Sequence, residues 1–169
     1  MQSIITNSAA ETEKFAQELA GKLKGNDVLA FFGGLGMGKT TFVRGLARGL
    51  GSSDEVSSPT FALVHEYRST PKLYHFDMYR VASFDDLYST GFFDYLETGA
   101  ILAIEWSENI QRALPENTIR VTFERLEEEK RRITVEGGSR FGSCWEWIPP
   151  PLRLQLRCGR MGGSLEKAL

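Results

Sequence analysis

The sequence predicts an α/β fold: a three-layer sandwich with a mainly parallel central sheet that antiparallel strands extend. Three observations predict it. Val28–Phe32 and Ala100–Glu105 are short, unbroken apolar runs of the kind found in strands buried on both faces. Helical patterns lie beside and between them, with Phe15, Leu19 and Leu23 recurring every four residues along the first. Near residue 120 the pattern changes to strict alternation, in Ile119–Phe123 and Arg132–Val135, on either side of a charged turn at Glu127–Arg131. Buried strands with intervening helices make a parallel core, and alternating strands add antiparallel neighbours.

In chain order, Gln2–Thr6 is a short strand. Ser8 is an N-cap, and Glu11, three residues later, completes a capping-box pattern, so a helix is expected over residues 8–24 before Gly25-Asn26 stops it. After Val28–Phe32 come a glycine-rich loop, Gly33–Gly38, and a helix, Lys39–Leu50, ended by Gly51. Thr60–Tyr67 and Leu73–Asp77 are expected as two strands joined around Thr70-Pro71. A helical stretch over Phe84–Glu97 and a brief helix over Asn109–Leu114 flank the second buried strand. The final hairpin is expected at a sheet edge.

A chain of 169 residues with 41% apolar and 25% charged residues is the size and balance of one soluble domain. No apolar run approaches the ~20 residues that span a bilayer. Met1–Ala10 is polar and has no basic residue, unlike a secretory signal, so cytoplasmic residence is the expectation. The net charge of −2 divides into −5 over residues 1–137 and +3 over residues 138–169. An acidic body argues against a direct grip on a nucleic-acid backbone, which calls for a concentrated basic face. The two cysteines, Cys144 and Cys158, have no histidine near them in sequence and read as free thiols rather than a disulfide or zinc site.

Gly33-Gly34-Leu35-Gly36-Met37-Gly38-Lys39-Thr40 fits the phosphate-binding pattern G-x-x-x-x-G-K-[ST]. Glycines let the backbone curl so that successive N–H groups form an anion-binding nest, and the next helix adds the partial positive charge of its N-terminus. In this pattern the lysine, Lys39, reaches the β- and γ-phosphates and the hydroxyl, Thr40, ligates Mg²⁺. A chance glycine-rich turn would need no strand before it and no helix after it; this loop has both. The expected fold is therefore P-loop NTPase-like.

Such a site needs an acid to hold Mg²⁺ or its water, and two candidates end suitable strands: Asp77 after Leu73-Tyr74-His75-Phe76, and Glu105 after Ile101-Leu102-Ala103-Ile104. Other residues say less. His65 and His75 read as packed or surface histidines rather than ligands or bases. Trp106 either belongs to the core or covers the nucleotide. Lys130-Arg131-Arg132 reads as a solvated turn. No N-K-x-D string occurs, so nothing favours guanine, and ATP is the expected nucleotide.

GGLGMGKTTF at Gly33–Phe42, Ser58-Pro59-Thr60-Phe61, His75-Phe76-Asp77-Met78-Tyr79-Arg80 and Ile104-Glu105-Trp106 occur in this order and spacing. Together they resemble the TsaE (YjeE) family of bacterial P-loop ATPases over residues 1 to about 137. The resemblance implies a role in making N6-threonylcarbamoyladenosine in tRNA, through docking on a TsaD–TsaB complex and hydrolysing ATP, feebly alone, to allow repeated turnover. It makes tRNA an indirect partner only. By position, Gly33, Gly36, Met37, Gly38, Lys39, Thr40 and Thr41 should bind the phosphates, Thr40 and Glu105 Mg²⁺, and Asp77 should position metal or water. Thr60 falls in a nucleotide-sensing switch, Trp106 at the nucleotide- or partner-facing surface, and the turn around Ala9 beside the base.

Residues 138–169 do not resemble the ending of that family. They hold both cysteines and the run Pro149-Pro150-Pro151, and the basic, aperiodic composition predicts a loosely packed tail after a domain of residues 1–137. The runner-up function is a small-molecule kinase of the P-loop class. It is disfavoured because no helical lid with clustered arginines is evident; Arg44 and Arg48 lie on the P-loop helix itself.

Overall fold

The computed structural model describes residues 1–137. The expected tail and the thiols of Cys144 and Cys158 lie outside the described residues. The strands are β1 (Gln2–Thr6), β2 (Val28–Phe32), β3 (Val64–Tyr67), β4 (Leu73–Asp77), β5 (Ile101–Glu105), β6 (Ile119–Arg125) and β7 (Arg131–Gly137). The helices are α1 (Ala9–Ala20), α2 (Lys39–Gly49), α3 (Phe84–Ser89) and α4 (Phe92–Tyr95), and a 3₁₀ segment covers Ser107–Ala113.

All seven strands form one sheet in the order β1-β7-β6-β2-β5-β4-β3. β6, β2, β5 and β4 run parallel at its centre, while β7, β1 and β3 are antiparallel additions. β2 and β5 are buried at every position, which accounts for their unbroken apolar runs. Their side chains alternate between two cores. Leu29, Phe31, Ile101 and Ala103 join the core under α1 and α2. Val28, Ala30, Phe32, Leu102 and Ile104 join the core under α3, α4 and the 3₁₀ segment. This is the expected α/β sandwich with a mainly parallel centre. The final hairpin pairs as expected, but it is not at an edge: β6 lies against β2, and β1 covers the far side of β7.

α1 and α2 pack closely because α2 presents glycine where α1 presents alanine. A Cβ at Gly45 would stand 2.7 Å from the Ala16 Cβ, and one at Gly49 would stand 2.6 Å from the Ala20 Cβ, both inside contact distance. The seam is clamped at its rim by Glu13, which pairs with Arg44 at 2.9 Å and also with Arg48.

Several boundaries differ from the sequence expectation, each for a local reason. Ser8 caps α1 through Glu11 N–H, but the Glu11 carboxylate accepts from the Asn7 backbone and side chain rather than closing a box on Ser8. Helix α1 ends at Ala20, earlier than Lys24. The strand expected from Thr60 starts only at Val64, because Leu63 has φ +68° and its N–H bonds the Pro59 carbonyl in a turn. The stretch expected over Phe84–Glu97 is two helices, broken at Gly91.

Candidate functional site

The C-terminal ends of β2, β4 and β5 converge on one pocket of about 440 Å³. An open α/β sheet commonly binds ligands at the carboxyl ends of its parallel strands. β2 delivers the glycine-rich loop. Gly33, at φ +136°, leaves no room for a side chain, since a Cβ there would be 2.8 Å from the Phe123 carbonyl oxygen. Gly38 is the N-cap of α2 at φ +97°, a conformation that favours glycine, and no side chain caps the helix.

Lys39 is buried, and its ammonium donates to the carbonyls of Gly33 at 2.6 Å and Gly34 at 2.8 Å. The same ammonium lies 4.4 Å from the centre of the Trp106 ring. Burial lowers the Lys39 pKa below the ordinary lysine value, opposed by the nearby carboxylates of Glu105, Glu108 and Asp77. A partly desolvated cation ringed by three acids is a poised partner for an anion that brings its own metal.

Asp77 and Glu105 are directly paired residues at the ends of β4 and β5. Both are buried, at 4% and 5% exposure, so neither is an ordinary solvated strand-end acid. Glu105 Oε1 accepts from the Thr40 hydroxyl at 2.6 Å and lies 2.9 Å from His75 Nε2. Asp77 Oδ2 accepts from the hydroxyls of Thr60 at 2.7 Å and Ser58 at 3.1 Å, while its Oδ1 accepts the Tyr79 N–H at 3.0 Å. The two acids thus have separate neighbours: Glu105 is tied to the P-loop helix, and Asp77 to the Ser58–Thr60 segment.

Trp106 belongs partly to the core and partly to the pocket wall. It packs against the second core and stands 5.0 Å from the Tyr79 ring, yet it lines the pocket beside Lys39. Its φ of +58° is uncommon for a large residue and turns the chain sharply after β5.

The pocket collects Gly36, Met37, Gly38, Lys39, Thr40, Thr41, Thr60, Asp77, Glu105 and Trp106 from the sequence-derived set, and adds Leu35 and Ser58. Gly33 lies behind the loop, with its N–H donating to Glu108 Oε1 at 3.0 Å. Ala9 lies on the far side of the loop, in a second hollow of about 330 Å³ shared with Gly36, Gly38, Thr41, Glu128 and Arg131. Sequence reading missed Ser58, His75 and Glu108 as site residues. Ser58 and His75 carried a signal, as members of the Ser58-Pro59-Thr60-Phe61 and His75-Phe76-Asp77-Met78-Tyr79-Arg80 strings, and Glu108 carried none. Arg44 and Arg48 are held by Glu13, and Arg132 pairs with Glu124 at 2.9 Å, so none of these arginines lies over the pocket as a lid.

The donor set suits Mg²⁺, which prefers hard oxygens and is commonly held by one or two side chains together with substrate phosphates. Thr40 and Glu105 supply such oxygens beside Lys39, with Asp77 on the adjoining strand. Among the described residues no group of three or more His, Cys, Asp and Glu side chains could hold a metal by itself.

The loop between a buried parallel strand and its helix, with two acids ending the neighbouring strands, defines a P-loop NTPase-like protein. The match to a family model specifies which. Residues 6–133 match the threonylcarbamoyl adenosine biosynthesis protein TsaE, and the chain belongs to that family. Proteins named tRNA threonylcarbamoyladenosine biosynthesis protein TsaE are similar along most of its length. The one from Treponema pallidum is 37% identical over 131 residues, covering 78% of this chain and 97% of the relative. The one from Aquifex aeolicus is 42% identical over 138 residues, covering 80% and 96%. The crystal structure of Bacillus subtilis YdiB superposes with a TM-score of 0.70 at 29% identity, covering 94% of this chain and 95% of that one. Threonylcarbamoyladenosine biosynthesis is thus the pathway of this family. No helix among the described residues is long and apolar enough to cross a membrane.

Proposed function

We propose that the chain is an Mg²⁺-dependent ATPase of the cytoplasm, housed in residues 1–137, that supports threonylcarbamoyl transfer to tRNA. It would do so by docking on a TsaD–TsaB complex and hydrolysing ATP to permit repeated turnover, meeting tRNA only through those partners. The observation that carries this reading is the approach of Thr40 to Glu105 beside the buried Lys39, in a pocket that Asp77 also lines.

In this reading Lys39 exchanges the Gly33 and Gly34 carbonyls for phosphate oxygens, and the loop N–H groups orient those phosphates. Thr40 and Glu105 hold Mg²⁺, which when bound neutralises charge on the phosphates. Asp77 would help position the metal or the attacking water. Ser58 and Thr60, both hydrogen-bonded to Asp77, give the Ser58–Thr60 segment a direct means of sensing what occupies the pocket. The hollow beside Ala9 takes the nucleoside end. Feeble activity alone is physically reasonable: phosphoryl transfer needs positioned charge, no arginine among the described residues lines the pocket, and a partner can supply or order one.

The test is ATP hydrolysis by the purified protein with Mg²⁺, alone and with TsaD–TsaB from the same source. A low rate that rises with the complex and vanishes in Lys39→Ala supports the reading. Equal rates with and without the complex would overturn the partner-dependent step and direct attention to the small-molecule kinase alternative.

A further inference from the structure

His75 is fully buried on β4, and neither of its ring nitrogens has a backbone partner. Nε2 stands 2.9 Å from Glu105 Oε1, and Nδ1 stands 3.4 Å from the Tyr67 hydroxyl. An ionised carboxylate can only accept, so the hydrogen of this pair belongs to Nε2. Glu105 Oε1 thereby takes two donors, His75 Nε2–H from below and the Thr40 hydroxyl from the P-loop helix. The Tyr67 hydroxyl donates its one hydrogen to the Ser57 carbonyl at 3.1 Å, so Glu105 is the hydrogen-bond partner of the ring.

We infer that His75 is a positioning residue, which fixes the Glu105 carboxylate against the P-loop helix. The inference rests on the Mg²⁺–nucleotide reading of the site. A histidine serving the core alone would satisfy itself on backbone groups or on side chains away from the pocket. Here one ring nitrogen holds a pocket acid, at 2.9 Å and with no exposure to solvent. Both Glu105 donors act on Oε1, so the carboxylate is pinned through one oxygen. Without the imidazole, only the flexible hydroxyl of Thr40 would restrain it, and that hydroxyl is itself needed at the metal. Partners that orient a metal-holding carboxylate from behind characteristically set metal affinity rather than substrate affinity.

The distinguishing measurement is calorimetric affinity for ADP with and without Mg²⁺, in which the ratio of the two isolates the metal's share. His75→Gln keeps an N–H donor near the Nε2 position, whereas His75→Leu fills similar volume without one. The expected result is that Leu lowers the Mg²⁺ enhancement by about tenfold and leaves metal-free affinity within about twofold, while Gln stays within about threefold of wild type. Because both residues act on one carboxylate, adding His75→Leu to Glu105→Ala should cause little further loss. If Leu retains the full enhancement while Glu105→Ala loses it, the positioning role is overturned and the metal reading stands. If wild type shows no enhancement at all, the metal reading fails and takes this inference with it. Should the Leu variant not fold, proton NMR of the wild type decides. The buried Nε2–H should give a slowly exchanging downfield resonance that shifts on adding Mg²⁺–ADP more than on adding ADP alone. A resonance indifferent to the metal would overturn the assignment.

Discussion

Lys39, Thr40 and Asp77 each already have a partner in this pocket. Lys39 is satisfied by two loop carbonyls, Thr40 by Glu105, and Asp77 by two hydroxyls and an amide. On the proposed function, nucleotide binding would be an exchange of partners for these three groups, and the two acids would have separate roles. If the proposed reading holds, Glu105→Ala should retain nucleotide binding, which that reading assigns to the loop and Lys39, but lose Mg²⁺-dependent turnover by at least about a hundredfold. Equilibrium binding beside a single-turnover assay checks this, and unchanged turnover would remove Glu105 from the metal site. Gly33 is constrained differently. Its φ of +136° and the nearby Phe123 carbonyl make Gly33→Ala a backbone problem, expected to destabilise the protein by ~1–3 kcal/mol in denaturant unfolding.

Among the elements, the α1–α2 seam depends on the absence of side chains. Gly→Ala inside a helix ordinarily gains ~0.5–1 kcal/mol from propensity. Gly45→Ala should instead lose stability, by about 1–3 kcal/mol, because the new Cβ meets the Glu13 carbonyl and Ala16. A stabilised variant in thermal unfolding would show that the helices can part without cost. Helix α3 offers a pH test. The hydrogen bonds of Asp86 to Ser83, first its side chain and then neighbouring backbone N–H groups, hold its pKa below the ordinary aspartate value of 3.8. A depressed carboxylate stabilises the fold above pH 3.8, and that contribution is lost as pH falls through the lower native value. The difference in midpoint between wild type and Asp86→Asn should therefore shrink below pH 3.8, and a constant difference would count against the capping role. The elements also show what the sequence could disclose. β2 and β5 were legible because burial on both faces leaves a direct mark on composition. The late start of β3 was not, because Thr60 and Leu63 are held by contacts to Asp77 and its N–H across the sheet. The P-loop, Asp77 and Glu105 could be found from local pattern. His75 could not be assigned, since its partner is 30 residues away and only the parallel register of β4 and β5 brings them together.

For the molecule as a whole, the site lies where two cores meet at the ends of the same strands, so its geometry depends on both helical layers. Ligand binding should be felt globally. MgATP at 100 times its dissociation constant stabilises the folded state by about 2.7 kcal/mol if it does not bind the unfolded chain. That should raise the thermal midpoint by roughly 5–10 °C for a protein of this size, and Lys39→Ala should abolish the rise. An equal shift in the variant would place the nucleotide elsewhere.

The contact of Lys39 with the Trp106 face has a practical consequence. Of the chain's three tryptophans, the other two are Trp145 and Trp147, so replacing both with phenylalanine leaves a single emitter. That indole has an ammonium on its face, and in the proposed function the ammonium turns toward the phosphate when the nucleotide binds. Its emission would then report occupancy in real time, without a label and without touching any residue of the pocket.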